Sequence, residues 1–577
     1  MRIQCFVSTL AFCAITAALL PAQQADVIIQ NAKVVTVDAQ FRIAQALAIK
    51  GDRLLAVGSN SQALAFKGAN TKVIDAGGKT ILPGLIDSHV HAADASMYEF
   101  DHEIPTMETI ADVLRYYKSR AAVVPRGEWI RLSQVFITRL RERRYPTRAE
   151  LDSVAPDHPV VFATGPDASL NTLALKKAGI TKDSKPPAGQ RGKVELDPKT
   201  GEPTGILRSA SQFLKIPSTG RKATDAERAQ RLKLMLADYN SVGLTSVAER
   251  DASESEIELY RSLRQKNELT CRVFLNAHIE PTAAWEKVEA QILKAARDPL
   301  HKYDKFLWLR GTKSYLDGGM LTGSAYMREP WGLSKIYSIT DPNYRGLLYI
   351  EAEPLYRAAK LALQNDLQFT AHSVGDGAVN ALITAYERIN KEFPVRAQRP
   401  CITHCNFMFP EAIERMQKVG IVADLQPAWL ERDGATLREQ FGDPRLAYFQ
   451  PYKSLFDAKV PVGGGSDHMQ KIGSMRAINP YNPFYGMWIT LARQPRWTDK
   501  VLHPEQRITR EQAIRLYTIN NAFLTFEEKE KGSLEPNKLA DFILLKEDIL
   551  TIPMDRVKDL QVAETWVGGR KVYQAKP

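Results

Sequence analysis

Hydrophobic and polar positions change their rhythm twice along the chain. From residue 26 to about 82, short alternating segments at 27–30, 33–36, 46–49 and 54–57 are separated by Asn-Ala, Gly-Asp-Arg and Gly-Ser-Asn turns, the pattern of half-buried strands. A matching set returns at the far end, at 542–545 and 562–567, followed by Gly568-Gly569 and a last strand at 571–573. The two ends, 26–82 and 531–577, are expected to pair into one composite β-sandwich. Between them, over 83–530, apolar runs of four to eight residues alternate with helix-period segments, which argues for parallel strands joined by helices. Eight runs read as strands: 81–91, 244–249, 272–278, 307–315, 368–372, 401–404, 421–426 and 461–466. Helical stretches at 253–269, 282–297, 354–364, 378–393 and 410–419 lie between most of them. The expected fold is α/β, a (β/α)8 TIM-type barrel. The interval 92–235 is too long for one crossover and reads as an insertion after barrel strand 1, with a Pro/Gly-rich surface segment at 185–192.

The first residues depart from both rhythms. Met1-Arg2 is followed by an apolar run to Leu20 and by Pro21-Ala22, the charged start, apolar middle and small-residue end of a secretory signal peptide. Gln4, Ser8, Thr9 and Thr16 interrupt the run, which argues against a membrane anchor. Residues 1–22 are therefore expected to be removed, leaving a periplasmic or extracellular protein. Cys271, Cys401 and Cys405 remain after cleavage, an odd number that excludes a disulfide framework. Two of them lie four apart in a strand, ~13 Å from one another, beyond bridging reach. The net charge of +11 comes from 77 basic and 66 acidic residues spread along the 577-residue chain. No basic tract interleaved with aromatics occurs, so nucleic-acid binding is not expected. The expected partner is a small-molecule substrate, with homo-oligomerisation left open.

The chemistry lies at the strand ends. His89 and His91, two positions apart on a strand, point to the same face, a ligand geometry. His372, His404 and Asp467 end later strands, and in a βα barrel those ends converge on one mouth. Each histidine alone would more often be structural; together they read as a metal cluster, whose imidazole and carboxylate donors suit Zn²⁺. Lys313 lies on the fourth strand, where it either pairs with Asp317, sits at the surface, or is carboxylated to a carbamate that bridges two metals. One or two divalent ions are expected, two if Lys313 is carboxylated. Tyr315, Asp376, Gln426, Trp429 and His468 are candidate substrate-pocket residues by their place at strand ends. Against this, Trp429 packs a barrel rim equally well, and Asp376 equally well caps the helix near Ala378.

Segments 83–91, 371–378, 465–467 and Lys538-Leu539-Ala540-Asp541 resemble signatures of the amidohydrolase superfamily, most closely amidohydrolase family 3, which includes N-substituted formamide deformylases. The resemblance covers about 26–577. It implies a barrel with a composite β-sandwich, and His89, His91, Lys313, His372, His404 and Asp467 as ligands. Two departures stand out. The family's usual Glu-His on the sixth strand is Thr403-His404 here. A histidine that relatives often place near 165–171 is missing, since none occurs between His158 and His278. The expected activity is hydrolysis of non-peptide C–N bonds by metal-activated hydroxide, with Asp467 as general base and then acid. A deaminase or an ester or lactone hydrolase of the same superfamily, and a non-catalytic binding protein, are the alternatives. Gly-x-Ser-x-Gly and His-Glu-x-x-His are both absent, which argues against serine hydrolases and zinc proteases of those types.

Overall fold

The computed structural model describes residues 23–165, 167–185, 192–211, 214–216, 221–280 and 282–576. The leader at 1–22 and most of the Pro/Gly-rich segment at 185–192 lie outside them. Eight parallel strands form one sheet in chain order: β1 (Leu85–Val90), β2 (Leu244–Ala252), β3 (Arg272–His278), β4 (Leu307–Tyr315), β5 (Gln368–Ser373), β6 (Cys401–His404), β7 (Val422–Leu425) and β8 (Val462–Gly464). Helices such as Glu254–Gln265, Trp285–Arg297, Ala352–Gln364, Asp376–Asn390 and Pro410–Val419 connect them. Their apolar faces, for example Ile257, Tyr260 and Leu263, bury against the sheet. Covered on both sides, the strands read as apolar runs rather than as alternating ones.

The sheet closes just beyond β8. The Asp467 amide donates to the His89 carbonyl at 2.8 Å, and the His91 amide donates to the His468 carbonyl at 2.8 Å. Asp87 on β1 braces the seam by accepting from the amides of His89 (2.9 Å) and Ser466 (3.0 Å). Burial pushes the Asp87 carboxyl up to about 7.

Both termini build the sandwich. One sheet runs Arg53–Gly58, Ala46–Lys50, Val27–Gln30, Lys72–Asp75; the other runs Arg570–Gln574, Val562–Val567, Phe542–Leu545, Thr80–Pro83, Lys33–Val35, Ile43–Ala44. Ile29, Leu47, Ile81, Phe542 and Trp566 fill the space between them. The apolar run at 81–91 is therefore two strands and not one: Thr80–Pro83 belongs to the sandwich and Leu85–Val90 to the barrel. Gly84 is the joint, because a Cβ there would collide with the Thr245 side chain.

Between β1 and the helix Asp225–Ser241 that leads back to β2, the chain adds a five-stranded sheet ordered Lys193–Leu196, Pro203–Arg208, Asp167–Leu170, Val160–Thr164, Ile130–Ser133. A second excursion, 316–351, follows β4 and had no counterpart in the hydrophobic pattern. It packs through Met320, Leu321, Trp331 and Tyr337 against Trp429 and Leu430. Among the described residues no helix is long and apolar enough to cross a membrane.

The Lys538-Leu539-Ala540-Asp541 segment has a structural task. Asp541 takes both ends of the Arg272 guanidinium, at 2.6 and 2.8 Å, and the Gly568 amide at 2.7 Å, tying β3 to the sandwich. Both side chains are buried. Removing one member of a buried, hydrogen-bonded pair strands the other charge, so Asp541→Ala should lower unfolding stability by about 3–5 kcal/mol in chemical denaturation.

Candidate metal centre

β1 presents His89 and His91 to the barrel mouth. Their Nε2 atoms are 3.3 Å apart, and Asp467 Oδ1 lies 3.3 Å from His89 Nε2 and 3.4 Å from His91 Nε2. One ligand atom from each of the three falls within 4.8 Å of the others. The remaining imidazoles continue the cluster: the His89 and His404 rings stack with centroids 5.1 Å apart, and His404 meets His372 edge-on at 4.4 Å. Asp251, His404 and Asp467, at the ends of β2, β6 and β8, adopt φ of +77°, +81° and +55°. Such backbone is unfavourable for residues with a Cβ and persists where surrounding structure enforces it.

Partners behind the imidazoles set which nitrogen faces inward. His89 Nδ1 donates to Asp424 Oδ2 at 3.1 Å, and His404 Nδ1 donates to Gln426 Oε1 at 2.7 Å; each leaves Nε2 free to ligate. Asp424 also takes the Ser88 hydroxyl at 2.6 Å and lies 3.7 Å from the Arg250 guanidinium. Glu249 stands 4.0 Å from His91 Nδ1 and accepts from the Ala92 amide at 2.9 Å. Thr403 faces elsewhere, its hydroxyl 2.7 Å from that of Thr370. Thr403 is thus turned away from His404, whose partner is Gln426, the residue after β7.

Burial and then the Lys313 charge push His89 well below the usual histidine range and His372 to about 3; burial and then His372 do the same for His404. Neutral imidazole is the ligating form. His91 is also penalised by burial, but its contact with Asp467 outweighs that and lifts it to about 9.

Lys313 is buried, which lowers its pKa, and among the described residues no carboxylate lies within ion-pair distance of its ammonium. It sits 4.5 Å from the Tyr315 ring centroid. Asp317, the alternative partner suggested by sequence, instead accepts the amides of Tyr326, Val374 and Gly375 at 2.9–3.0 Å.

A cavity of about 370 Å³ opens onto this cluster, reaching His91, Lys313, His372, His404 and Asp467. Phe136, Leu321, Trp429 and Met469 give it an apolar wall, and Gln134, Thr164 and Gly165 bring the inserted segment to it. Of the five candidate pocket residues, Tyr315 and Trp429 line it. Gln426 stands behind His404. Asp376 opens the helix Asp376–Asn390 and accepts the Arg328 amide at 2.8 Å. His468 is fully buried, with Nδ1 2.7 Å from the Tyr239 hydroxyl and Nε2 2.7 Å from the Gln470 carbonyl. In the 165–171 segment, Asp167 turns to Arg208 at 3.0 Å and Tyr145 at 2.8 Å.

Asp424 and Glu249 were not singled out from sequence. Their one signal was an acid inside an apolar strand, which is rare unless paired. Asp424→Ala should weaken divalent-metal affinity about 10–100-fold, as chelator competition reads it, with the fold retained.

Residues 72–573 match the model of the Amidohydrolase family. Over 568 residues the chain is 28% identical to the N-substituted formamide deformylase of Arthrobacter pascens, covering 96% of this chain and 99% of that protein. Over 571 residues it is 27% identical to Protein LONG AFTER FAR-RED 3 of Arabidopsis thaliana, covering 95% and 92%. Among solved structures, an uncharacterized metal-dependent hydrolase from Pyrococcus furiosus superposes with a TM-score of 0.65 at 21% identity, covering 91% of this chain and 100% of that one. At that identity the likeness shows the shared fold.

Proposed function

The chain belongs to the Amidohydrolase family, and from that premise we propose that this hydrolase cleaves non-peptide C–N bonds of amide type. The observation that carries the reading is Asp467 Oδ1 set 3.3 and 3.4 Å from two imidazole nitrogens at the floor of the cavity. His89, His91 and Asp467 would hold a divalent cation, with His372 and His404 beside it. The donors are nitrogen and oxygen, and burial keeps His89, His372 and His404 neutral, which suits Zn²⁺; His91, raised by its contact with Asp467, would give up its proton on ligation. A cation bound there supplies Lewis acidity and makes hydroxide available near neutral pH.

Asp467 then does the proton work. Its carboxylate takes the proton of the attacking water and delivers it to the departing nitrogen. The wall of Phe136, Leu321, Trp429 and Met469 receives the substituent on the amide and excludes bulk water. Lys313, buried with no carboxylate within ion-pair distance among the described residues, is the candidate for carboxylation, in which its amine would add CO₂ and lose a proton to become an anionic carbamate able to serve as a further ligand. The relative from Arthrobacter pascens, named for N-substituted formamides, makes formamides the first substrates to try. Export is part of the same proposal, supported by the charged start and apolar run of the leader.

Asp467→Asn should reduce turnover of the responsive amide to background while most of the metal is retained; an undiminished rate would remove Asp467 from its role. A panel of N-formyl, N-acyl and cyclic amides tests the bond type, and failure on all of them would overturn it. Metal analysis should return about two equivalents if Lys313 is carboxylated. About one equivalent would leave it an amine and favour the deaminase alternative.

A further inference from the structure

Asp467 is gripped from a direction that neither the barrel nor the cation cluster accounts for. Its Oδ1 faces the imidazoles, while Asn479 Nδ2 donates to the Asp467 carbonyl at 2.6 Å and reaches Oδ2 at 3.3 Å. The short bond clamps the main chain of a residue held at φ +55°, and the longer one restrains the carboxylate oxygen turned away from His89 and His91. Asn479 can donate in that direction only if its own oxygen points the other way. Arg139 ensures this, donating from Nη1 to Asn479 Oδ1 at 2.7 Å and to the Ile478 carbonyl at 2.9 Å. Arg139 comes from the turn Ile137–Arg139 of the inserted segment. Its other nitrogens lock onto Asp433, Nε to Oδ1 at 3.2 Å and Nη2 to Oδ2 at 2.9 Å, and Thr138 adds a hydroxyl to Asp433 at 2.9 Å.

Arg139, Asp433, Asn479 and Asp467 are each at most 3% exposed, so solvent offers no substitute partners and the orientation of each amide and guanidinium is set by its neighbour. A second strut joins the same parts: the Gln470 side chain donates to the Gln134 carbonyl at 3.0 Å. Gln134 and Phe136, a few residues before Arg139, line the cavity. We propose that Asn479 is the positioning residue of Asp467, aimed by Arg139, so that the inserted segment that lines the substrate cavity also sets the angle of the catalytic carboxylate. A bidentate guanidinium suits this task, since Lys would keep the charge beside Asp433 without the fork that reaches Asn479.

The inference rests on the proton role assigned to Asp467, so Asp467→Asn is measured beside it. The full chain is loaded with Co²⁺, whose visible absorption responds to ligand geometry without any substrate. Asn479→Asp keeps the side-chain volume but puts an oxygen where the donating nitrogen was. It should shift the Co²⁺ band at unchanged Co²⁺ stoichiometry and lower kcat on the responsive amide about 10–100-fold, with KM within about twofold. Asn479→Ser, which restores a donor, should recover part of both, and it serves as the test if the Asp variant fails to fold. Arg139→Lys should shift the band in the same direction, and the double variant with Asn479→Asp should be no worse than Asn479→Asp alone. A wild-type band and kcat in Asn479→Asp with Asp467→Asn inactive would overturn the positioning role alone, as would losses that multiply in the double variant. An active Asp467→Asn would overturn the function reading, and the Co²⁺ band would still decide whether Asn479 orients the carboxylate.

Discussion

Everything at the mouth of this barrel depends on how its first and last strands meet. β1 and β8 are the two ends of the sheet, and the seam between them is made by single main-chain bonds, Asp467 to the His89 carbonyl and His91 to the His468 carbonyl, with the Asp87 carboxylate across both sides. Those bonds fix the register that sets the histidine pair beside the aspartate. A slip of one residue would turn both imidazoles to the other face, because side chains on a strand alternate. The unfavourable backbone of Asp467 is held between this seam and Asn479. The cluster therefore gets its geometry from the closure of the fold, with its imidazoles and carboxylate at ends of strands that the rest of the barrel keeps in place.

Most of the barrel could be read from the chain because its strands are covered on both faces and appear as apolar runs. The histidine pair was legible by its period of two, and the convergence of His372, His404 and Asp467 on it by their place at strand ends. What could not be read is what depends on three-dimensional approach. Nothing in the apolar run at 81–91 marks the change of sheet except Gly84, which is required only because Thr245 comes close. The excursion at 316–351 has no periodicity, and its path is set by glycines: a Cβ at Gly346, Gly375 or Gly377 would strike the backbone of Ala325 or Tyr326. The partners of the imidazoles come from other strands, so that Thr403 before His404 suggested a missing group where Gln426 stands in.

The site divides into a general part and a particular one. Strand ends supply the imidazoles and the carboxylate of the candidate metal site, and burial keeps three of the four imidazoles neutral. The inserted segment and the 316–351 excursion supply the walls, through Gln134, Phe136, Leu321 and Thr164. Specificity on such a barrel resides in loops, not in the ligand set. The chain of Asp433, Arg139, Asn479 and Asp467 joins the two parts, linking the wall of the cavity to the carboxylate beside His89 and His91.

The central claim, that His89, His91 and Asp467 form a metal centre at the floor of the catalytic cavity, is tested most directly by anomalous diffraction from crystals of the Zn²⁺-loaded protein. The account predicts an anomalous peak enclosed by His89 Nε2, His91 Nε2 and Asp467 Oδ1, with a second peak beside Lys313 if that residue is carboxylated. Fully loaded crystals with no peak among those three atoms, or with the metal bound elsewhere on the chain, would contradict it.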